Sequence, residues 1–114
     1  MRRDDFIRLR HMLDAAREVT LFAKNKSRSS LESNRMLTLS IVKDLEIIGE
    51  AASKMTKEAR EEFPQIPWLN IISMRNRLIH AYYDINLDIV WKTVVEDLPP
   101  LIAELEKIAP EKGL

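Results

Sequence analysis

The sequence contains no cysteine, and histidine occurs only as His11 and His80. Disulfides, thiolate nucleophiles and Cys-ligated zinc sites are therefore excluded. No apolar stretch approaches the roughly 18 residues that a membrane-spanning helix requires, and the charged residues 2–5 are not followed by the apolar run of a signal peptide. We therefore expect a cytoplasmic protein without membrane association.

The chain also lacks a net charge, so no bulk attraction to nucleic acid is expected. The distribution of charge is uneven, because residues 1–57 carry 12 Lys and Arg against 8 Asp and Glu, whereas residues 58–114 carry 6 against 10. Any anionic ligand must therefore be attracted by a local patch. With 114 residues and 46% apolar content, the whole chain, residues 1–114, is expected to form one domain with a real core.

Apolar residues recur at three- and four-residue steps almost throughout, which predicts an all-α fold. The pattern predicts a first helix over residues 3–26, a polar loop over residues 27–34 and a second helix from Leu37 to Met55. Gly49 lies within this second helix, where glycine costs about 1 kcal/mol relative to alanine. We therefore expect a neighbouring helix to approach closely at Gly49.

The second half of the chain predicts a short helical stretch over residues 57–62 and a proline-containing connector over residues 63–67. A third long helix is predicted over residues 67–82. Asp84 or Asn86 can cap a fourth helix that extends to about Ile108, with a kink or break at Pro99 and Pro100. The result is an up-down bundle of four long helices plus one short helix, and we expect a two-fold homodimer.

The third predicted helix divides its residues between two arcs at about 100° per residue. The core arc contains Ile71, Met74, Leu78 and Ala81. The second arc contains Trp68, Ile72, Arg75, Asn76, Ile79, His80 and Tyr83. An arc that mixes apolar and reactive polar groups is typical of a homodimer interface that also binds a ligand. We therefore predict that the dimer contacts are Trp68, Ile72, Arg75 and Ile79.

Arg75 and His80 together suit a phosphodiester site. Arginine offers a permanent charge matched to phosphate oxygens, and histidine exchanges protons near neutral pH. One histidine cannot serve as both acid and base in a concerted step, but a two-fold axis through this face would bring two copies together. On spacing alone, a structural arginine and a partly buried histidine remain the simpler interpretation.

The longer string SMRNRLIHAYYDIN, residues 73–86, resembles the HEPN superfamily and, within it, the HepT-like toxins. The matching signature is Arg75, the adjacent Asn76, His80 and Tyr82. The string EIIGEAA at residues 46–52 and the segments FP and IPW at residues 63–68 are also similar to that family.

The resemblance implies a dimeric, metal-independent endoribonuclease that is the toxin of a type II or type VII toxin-antitoxin module. Its RNA substrate would be cut in a composite site between protomers, with Arg75, Asn76 and His80 as catalytic residues and no cofactor. The implied partner is an MntA-like nucleotidyltransferase antitoxin, which would act by binding, by adenylylation of Tyr82, or by both. A helical wheel that continues through residue 82 also places Tyr82 near Arg75, with Tyr83 about 100° away.

Several alternatives stay open at this stage. The protein could be a non-catalytic regulatory dimer that binds a nucleotidyltransferase, or a purely structural helical dimer. Arg77 and Tyr83 are candidate RNA contacts. Glu46 and Glu50 lie one helical turn apart, and we expect a solvated or salt-bridged pair of side chains there and not a cation site. His11 is expected to be an ordinary surface residue.

Overall fold

The computed structural model describes residues 1–81 and 84–109, and for His80 and Ala81 it describes the main chain only. The helices are α1 (Arg3–Ala23), α2 (Arg28–Ser33), α3 (Arg35–Ser53), α4 (Lys57–Glu62), α5 (Trp68–Ile72), α6 (Met74–Leu78), α7 (Leu87–Lys92) and α8 (Leu98–Ile108). Two short strands, β1 (Ile79–Ala81) and β2 (Asp84–Ile85), lie between α6 and α7. The all-α prediction is therefore confirmed, apart from this two-stranded antiparallel pair. Within the described ranges, no helix is both long and apolar enough to cross a bilayer.

Helix α3 is the central element, and it lies against α1, α2, α5 and α6. Its fully buried side chains include Ile41, Leu45 and Ile48, which meet Leu9, Met12 and Leu13 of α1 in the main core. The expected close approach at Gly49 is confirmed. A Cβ atom added to Gly49 would lie 3.1 Å from the main-chain oxygen of Ile71, so the C-terminal end of α5 rests on the surface of α3.

Side-chain caps fix the beginnings of three helices. Asn34 accepts a hydrogen bond from the amide of Leu37 at 3.0 Å, Thr56 from Ala59 at 3.2 Å, and Asn86 from Ile89 at 3.1 Å. Such bonds satisfy amide groups that have no partner within the helix. Of the two caps proposed for the last helical region, Asn86 performs this role.

A buried carboxylate joins α1 to α4. Asp5 accepts hydrogen bonds from the amide of Thr56 at 2.9 Å and from its hydroxyl at 2.8 Å. Burial opposes ionisation, but these bonds, the amide of Arg2 and the charge of Arg8 outweigh it and lower the pKa of Asp5. The start of α1 is therefore fixed beside the end of α3.

The prediction of a polar loop over residues 27–34 is wrong, because Arg28–Ser33 forms helix α2. The serine-rich composition favoured a loop, but Ser27 provides a capping box with Ser30, and Leu31 is buried against the core. The tertiary contact of one leucine, together with this cap, outweighs the weak helix propensity of the serines.

The fourth helical region is interrupted as expected, although the irregularity begins before the prolines. A π-helical turn over Thr93–Asp97 connects α7 to α8, and the amide of Leu98 donates to the carbonyl of Thr93, five residues earlier. Pro99 and Pro100 then occupy the first turn of α8, where their missing N–H groups cost little.

The prediction of one long helix over residues 67–82 is wrong. The chain forms α5, breaks at Ser73, forms α6 and leaves helical geometry at Ile79, whose φ and ψ are −121° and 112°. The amide of Asn86 donates to the carbonyl of Leu78 at 2.6 Å and so ties the end of α6 to the segment before α7. The β-branched side chain of Ile79 is also well suited to an extended backbone.

Candidate active site

Arg75 lies on α6 and extends into a cleft between α1 and α3. Its side chain is 68% exposed, and its Nε atom lies 3.9 Å from Oε2 of Glu46 on α3. The distance is too long for a tight hydrogen bond, and an exposed ion pair of this kind contributes at most about 1 kcal/mol. The guanidinium is therefore positioned by Glu46 but remains accessible to another anion.

The cleft beside Arg75 has a volume of about 690 Å³. In the described part of the chain, the lining consists of Asp4, Ile7, Arg8 and His11 of α1, of Lys43, Glu46, Ile47, Glu50 and Ala51 of α3, and of Lys54 and Arg75. Among these residues, four Lys and Arg side chains lie beside three Asp and Glu side chains, whereas the chain as a whole is neutral. The described lining therefore has a small excess of positive charge, which would attract an anionic ligand.

The two glutamates of α3 form ion pairs with basic residues, as their spacing favoured. Glu46 pairs with Arg75, and Glu50 lies 3.1 Å from Nζ of Lys54. In the described part of the chain, no cluster of three or more Asp, Glu or His side chains could hold a metal ion.

Asn76 and Arg77, the neighbours of Arg75, occupy different surroundings. Asn76 is exposed on α6. Arg77 donates to the carbonyl of Asn70 at 2.7 Å and lines a second cavity of about 510 Å³, which it shares with Lys92. Arg75 and Arg77 therefore do not serve the same cleft.

His80 follows α6 on strand β1. Ile79 is paired with Ile85 and Ala81 with Asp84, so His80 is the extra residue of a bulge between those pairs. The helical wheel that placed Ile79 and His80 on the arc of Arg75 therefore does not apply to them, because α6 ends at Leu78. The side chain of His80 and the predicted site residues Tyr82 and Tyr83 lie outside the described residues.

The predicted dimer contacts differ in the surface that they offer. Trp68 is only 7% exposed, and its indole N–H donates to the carbonyls of Arg60 and Phe63 at 3.1 and 3.0 Å, so it belongs to the core of a single chain. Ile72 and Ile79 are partly buried against the same core. The neighbouring Leu69, which is not among the predicted dimer contacts, is 78% exposed.

His11 and Lys43 were also missed as members of the site. His11 is exposed, as expected, but it lines the same cleft as Arg75. Residues 43, 46, 50 and 54 are spaced by three or four, and residue 47 lies four after residue 43, which places all five on one face of α3 and its C-terminal cap. That spacing was visible in the sequence, but the apposition of this face to α6 was not.

Comparison with known proteins identifies the family. The Ribonuclease HepT-like family matches residues 12–108. The chain belongs to the HepT-like ribonuclease family. This confirms the resemblance drawn from residues 73–86 and supports ribonuclease activity as the general function.

Curated relatives agree with this membership. "Putative RNase MJ1380" of Methanocaldococcus jannaschii is 37% identical over 95 residues, which cover 83% of this chain and 87% of that protein. "Putative RNase TTE0752" of Caldanaerobacter subterraneus is 35% identical over 100 residues, covering 88% and 89%. "Probable ribonuclease HepT" of Thermococcus cleftensis is 41% identical over 68 residues, covering 60% and 62%. No solved structure matches the chain.

Proposed function

We propose that the protein is a metal-independent endoribonuclease, acting as the toxin of a toxin-antitoxin module. The single observation that carries this proposal is the accessible guanidinium of Arg75 in a charged cleft, where its Nε atom lies 3.9 Å from the carboxylate of Glu46. A phosphate oxygen can replace that carboxylate with better geometry, because guanidinium and phosphate form paired hydrogen bonds.

The proposed reaction is transesterification within the RNA. His80 accepts the proton of the ribose 2′-hydroxyl, and the 2′-oxygen forms a bond to the adjacent phosphorus while the bond from phosphorus to the 5′-oxygen breaks. A second proton donor, His80 of a second copy in a homodimer, protonates the leaving 5′-oxygen. Arg75 stabilises the charge that builds on the phosphate oxygens, and Asn76 orients the phosphate. The products are a 2′,3′-cyclic phosphate and a 5′-hydroxyl.

Cleavage of a defined RNA by purified protein tests this proposal. His80→Ala and Arg75→Ala should each lower the rate by roughly 100-fold or more, the usual scale for losing an acid-base or charge-stabilising group. Arg35→Ala, at an exposed position at the start of α3, is the matched control and should retain the wild-type rate. Cleavage that EDTA abolishes and magnesium restores would contradict the mechanism.

Growth of cells expressing the protein separates this function from the alternative of a non-catalytic dimer that binds a nucleotidyltransferase. A toxin should arrest growth, and His80→Ala should relieve the arrest. Arrest that persists in His80→Ala would assign the effect to binding and not to catalysis.

Neutralisation is proposed to involve an MntA-like nucleotidyltransferase that transfers AMP from ATP to the hydroxyl of Tyr82, releasing pyrophosphate. The added phosphodiester is negatively charged and would compete with RNA for Arg75 if it reached the cleft. Mass spectrometry should detect one AMP on the wild type and on Tyr83→Phe, but none on Tyr82→Phe. AMP on Tyr82→Phe would place the modification elsewhere.

A further inference from the structure

The cleft between α1 and α3 extends well beyond Arg75. Glu46 of α3, the partner of Arg75, and Lys54, which directly follows α3 and caps its C-terminal end, are eight residues apart. At about 1.5 Å per residue this separation is about 12 Å along the helix axis. Because Asp5 accepts a hydrogen bond from Thr56, the beginning of α1 lies at the end of the cleft that contains Lys54. Arg8, one helical turn after Asp5, lines the cleft at the same end.

Cationic groups lie on both sides of Arg75 along this cleft. Lys43 precedes Glu46 by one helical turn, while Arg8 and Lys54 lie in the other direction. In the described part of the chain, Lys43 is exposed and forms no ion pair, whereas Lys54 is paired with Glu50. A charge that is exposed and unpaired is available to a ligand at no cost of breaking an existing contact.

We propose that the α1–α3 cleft binds the RNA backbone on both sides of the cleaved bond, with Lys43 and Arg8 contacting phosphates of neighbouring nucleotides. This inference rests on the proposed function and adds the path of the substrate. The 12 Å span exceeds the rise of about 3.4 Å between successive nucleotides of one strand. The contacts at its far end therefore belong to nucleotides other than the one at Arg75.

The lining favours RNA over a second copy of the chain as the occupant. The centre of a protein interface is depleted in Lys, Glu and Asp, yet those residue types supply five of the lining side chains, namely Asp4, Lys43, Glu46, Glu50 and Lys54. Among the described residues, the apolar lining consists of Ile7, Ile47 and Ala51. A nucleic acid interface, by contrast, is polar and positively charged, and the described lining holds four Lys and Arg side chains against three Asp and Glu side chains.

Binding of a fluorescein-labelled single-stranded RNA, measured by anisotropy in the His80→Ala background, tests the proposal. Lys43→Ala and Arg8→Ala should each weaken binding severalfold and reduce the slope of log K against log salt by about 0.7 per lost phosphate contact. Lys26→Ala and Arg35→Ala remove the same charges at exposed positions outside the cleft and should leave both quantities unchanged. Thermal unfolding verifies that each variant is folded.

The possible outcomes are distinct. Equal affinity and slope for Lys43→Ala and its control would overturn the proposed path even if the wild type cleaves RNA. Weakened binding by both cleft variants, combined with a wild type that does not cleave, would support the path and reject the nuclease. Loss of a dimer in Lys43→Glu and Arg8→Glu, with RNA affinity unchanged in the alanine variants, would assign the cleft to a second copy and overturn the inference.

Discussion

The main-chain oxygen of Ile71 lies 3.1 Å from the position that a Cβ atom on Gly49 would occupy. This contact brings the end of α5 against α3, and α6, which carries Arg75, begins two residues later after Ser73. The placement of Arg75 beside Glu46 thus depends on a helix surface that has no side chain at one position. Glycine is unfavourable within a helix, and the close approach of α5 explains why it occupies position 49 of α3.

Gly49→Val should lower the free energy of unfolding by about 1–3 kcal/mol, the usual cost of forcing additional atoms into a packed contact. Helix propensity acts in the opposite direction, because valine is a better helix former than glycine. Chemical denaturation measures the change. Ser40→Val, at an exposed position of α3, is the control and should change stability little. Equal stability of the two variants would show that α5 can move away from the added atoms without loss of stability.

Asp44→Asn should stabilise the protein increasingly as pH rises. Asp44 is 4% exposed on α3, and its Oδ2 atom accepts no hydrogen bond within the described residues. Burial, followed by a hydrogen bond to Glu18 and the charge of that residue, raises the pKa of Asp44 from 3.8 to about 7. The folded state therefore retains a proton that the unfolded state releases, and the stability of the wild type should fall as pH rises from about 4 to about 7.

Melting temperatures of the wild type and Asp44→Asn at about pH 4.5 and about pH 8 check this linkage. The advantage of the variant should be larger at the higher pH, because asparagine stays neutral and can still donate to Glu18. Asp97→Asn removes an exposed carboxylate that forms no cap bond and is the control for the loss of one carboxylate; the pH dependence seen with Asp44→Asn should exceed the one seen with this control. The same advantage at both pH values would mean that Asp44 titrates normally.

Glu46→Gln should tighten RNA binding severalfold at low salt. The substitution removes the carboxylate that competes with phosphate for Arg75 at 3.9 Å and makes the cleft more positive by one charge. The gain should shrink at high salt, because exposed charges are screened. Glu32→Gln, which alters an exposed ion pair with Arg28 on α2, is the control; equal gains in both variants would reveal a general charge effect instead of a local one.

Leu69→Glu should convert a homodimer to monomers in sedimentation. Leu69 is 78% exposed on α5, three residues before Ile72, so it extends the predicted contact face with an accessible apolar side chain. Burying a glutamate there without a partner would oppose association. Leu21→Glu, at a 71% exposed position on α1, is the control and should remain dimeric. A dimeric Leu69→Glu would contradict an interface through α5.

Local periodicity was sufficient to predict much of the fold. The stripes on α1 and α3, the helix at Lys57–Glu62 and the cap at Asn86 all follow from side-chain spacing and hydrogen-bonding chemistry. Helix α2 was missed because its stability depends on the burial of Leu31, a tertiary effect. The end of α6 at Leu78 was missed because a bond from Asn86, eight residues further along, replaces the next helical turn.

The site was predictable in part. Arg75 was selected by its chemistry and by the resemblance of residues 73–86, and the HepT-like family was correctly identified. The cleft itself could not be derived from the sequence, because it depends on how α6 crosses α3. His11 and Lys43 belong to separate helices, and only the folded chain brings them to one surface.

Because helix α6 ends at Leu78, the spacing of Arg75 and His80 along the sequence does not fix a rotation angle between them about one helix axis. In a continuous helix, inserting one residue between them would rotate the histidine by about 100° around the axis. Here the arginine is anchored to α3 through its helix, whereas the histidine belongs to a bulged strand secured by its pairing with β2. An insertion or deletion at this junction would therefore not need to preserve a whole number of helical turns, as it would in a continuous helix.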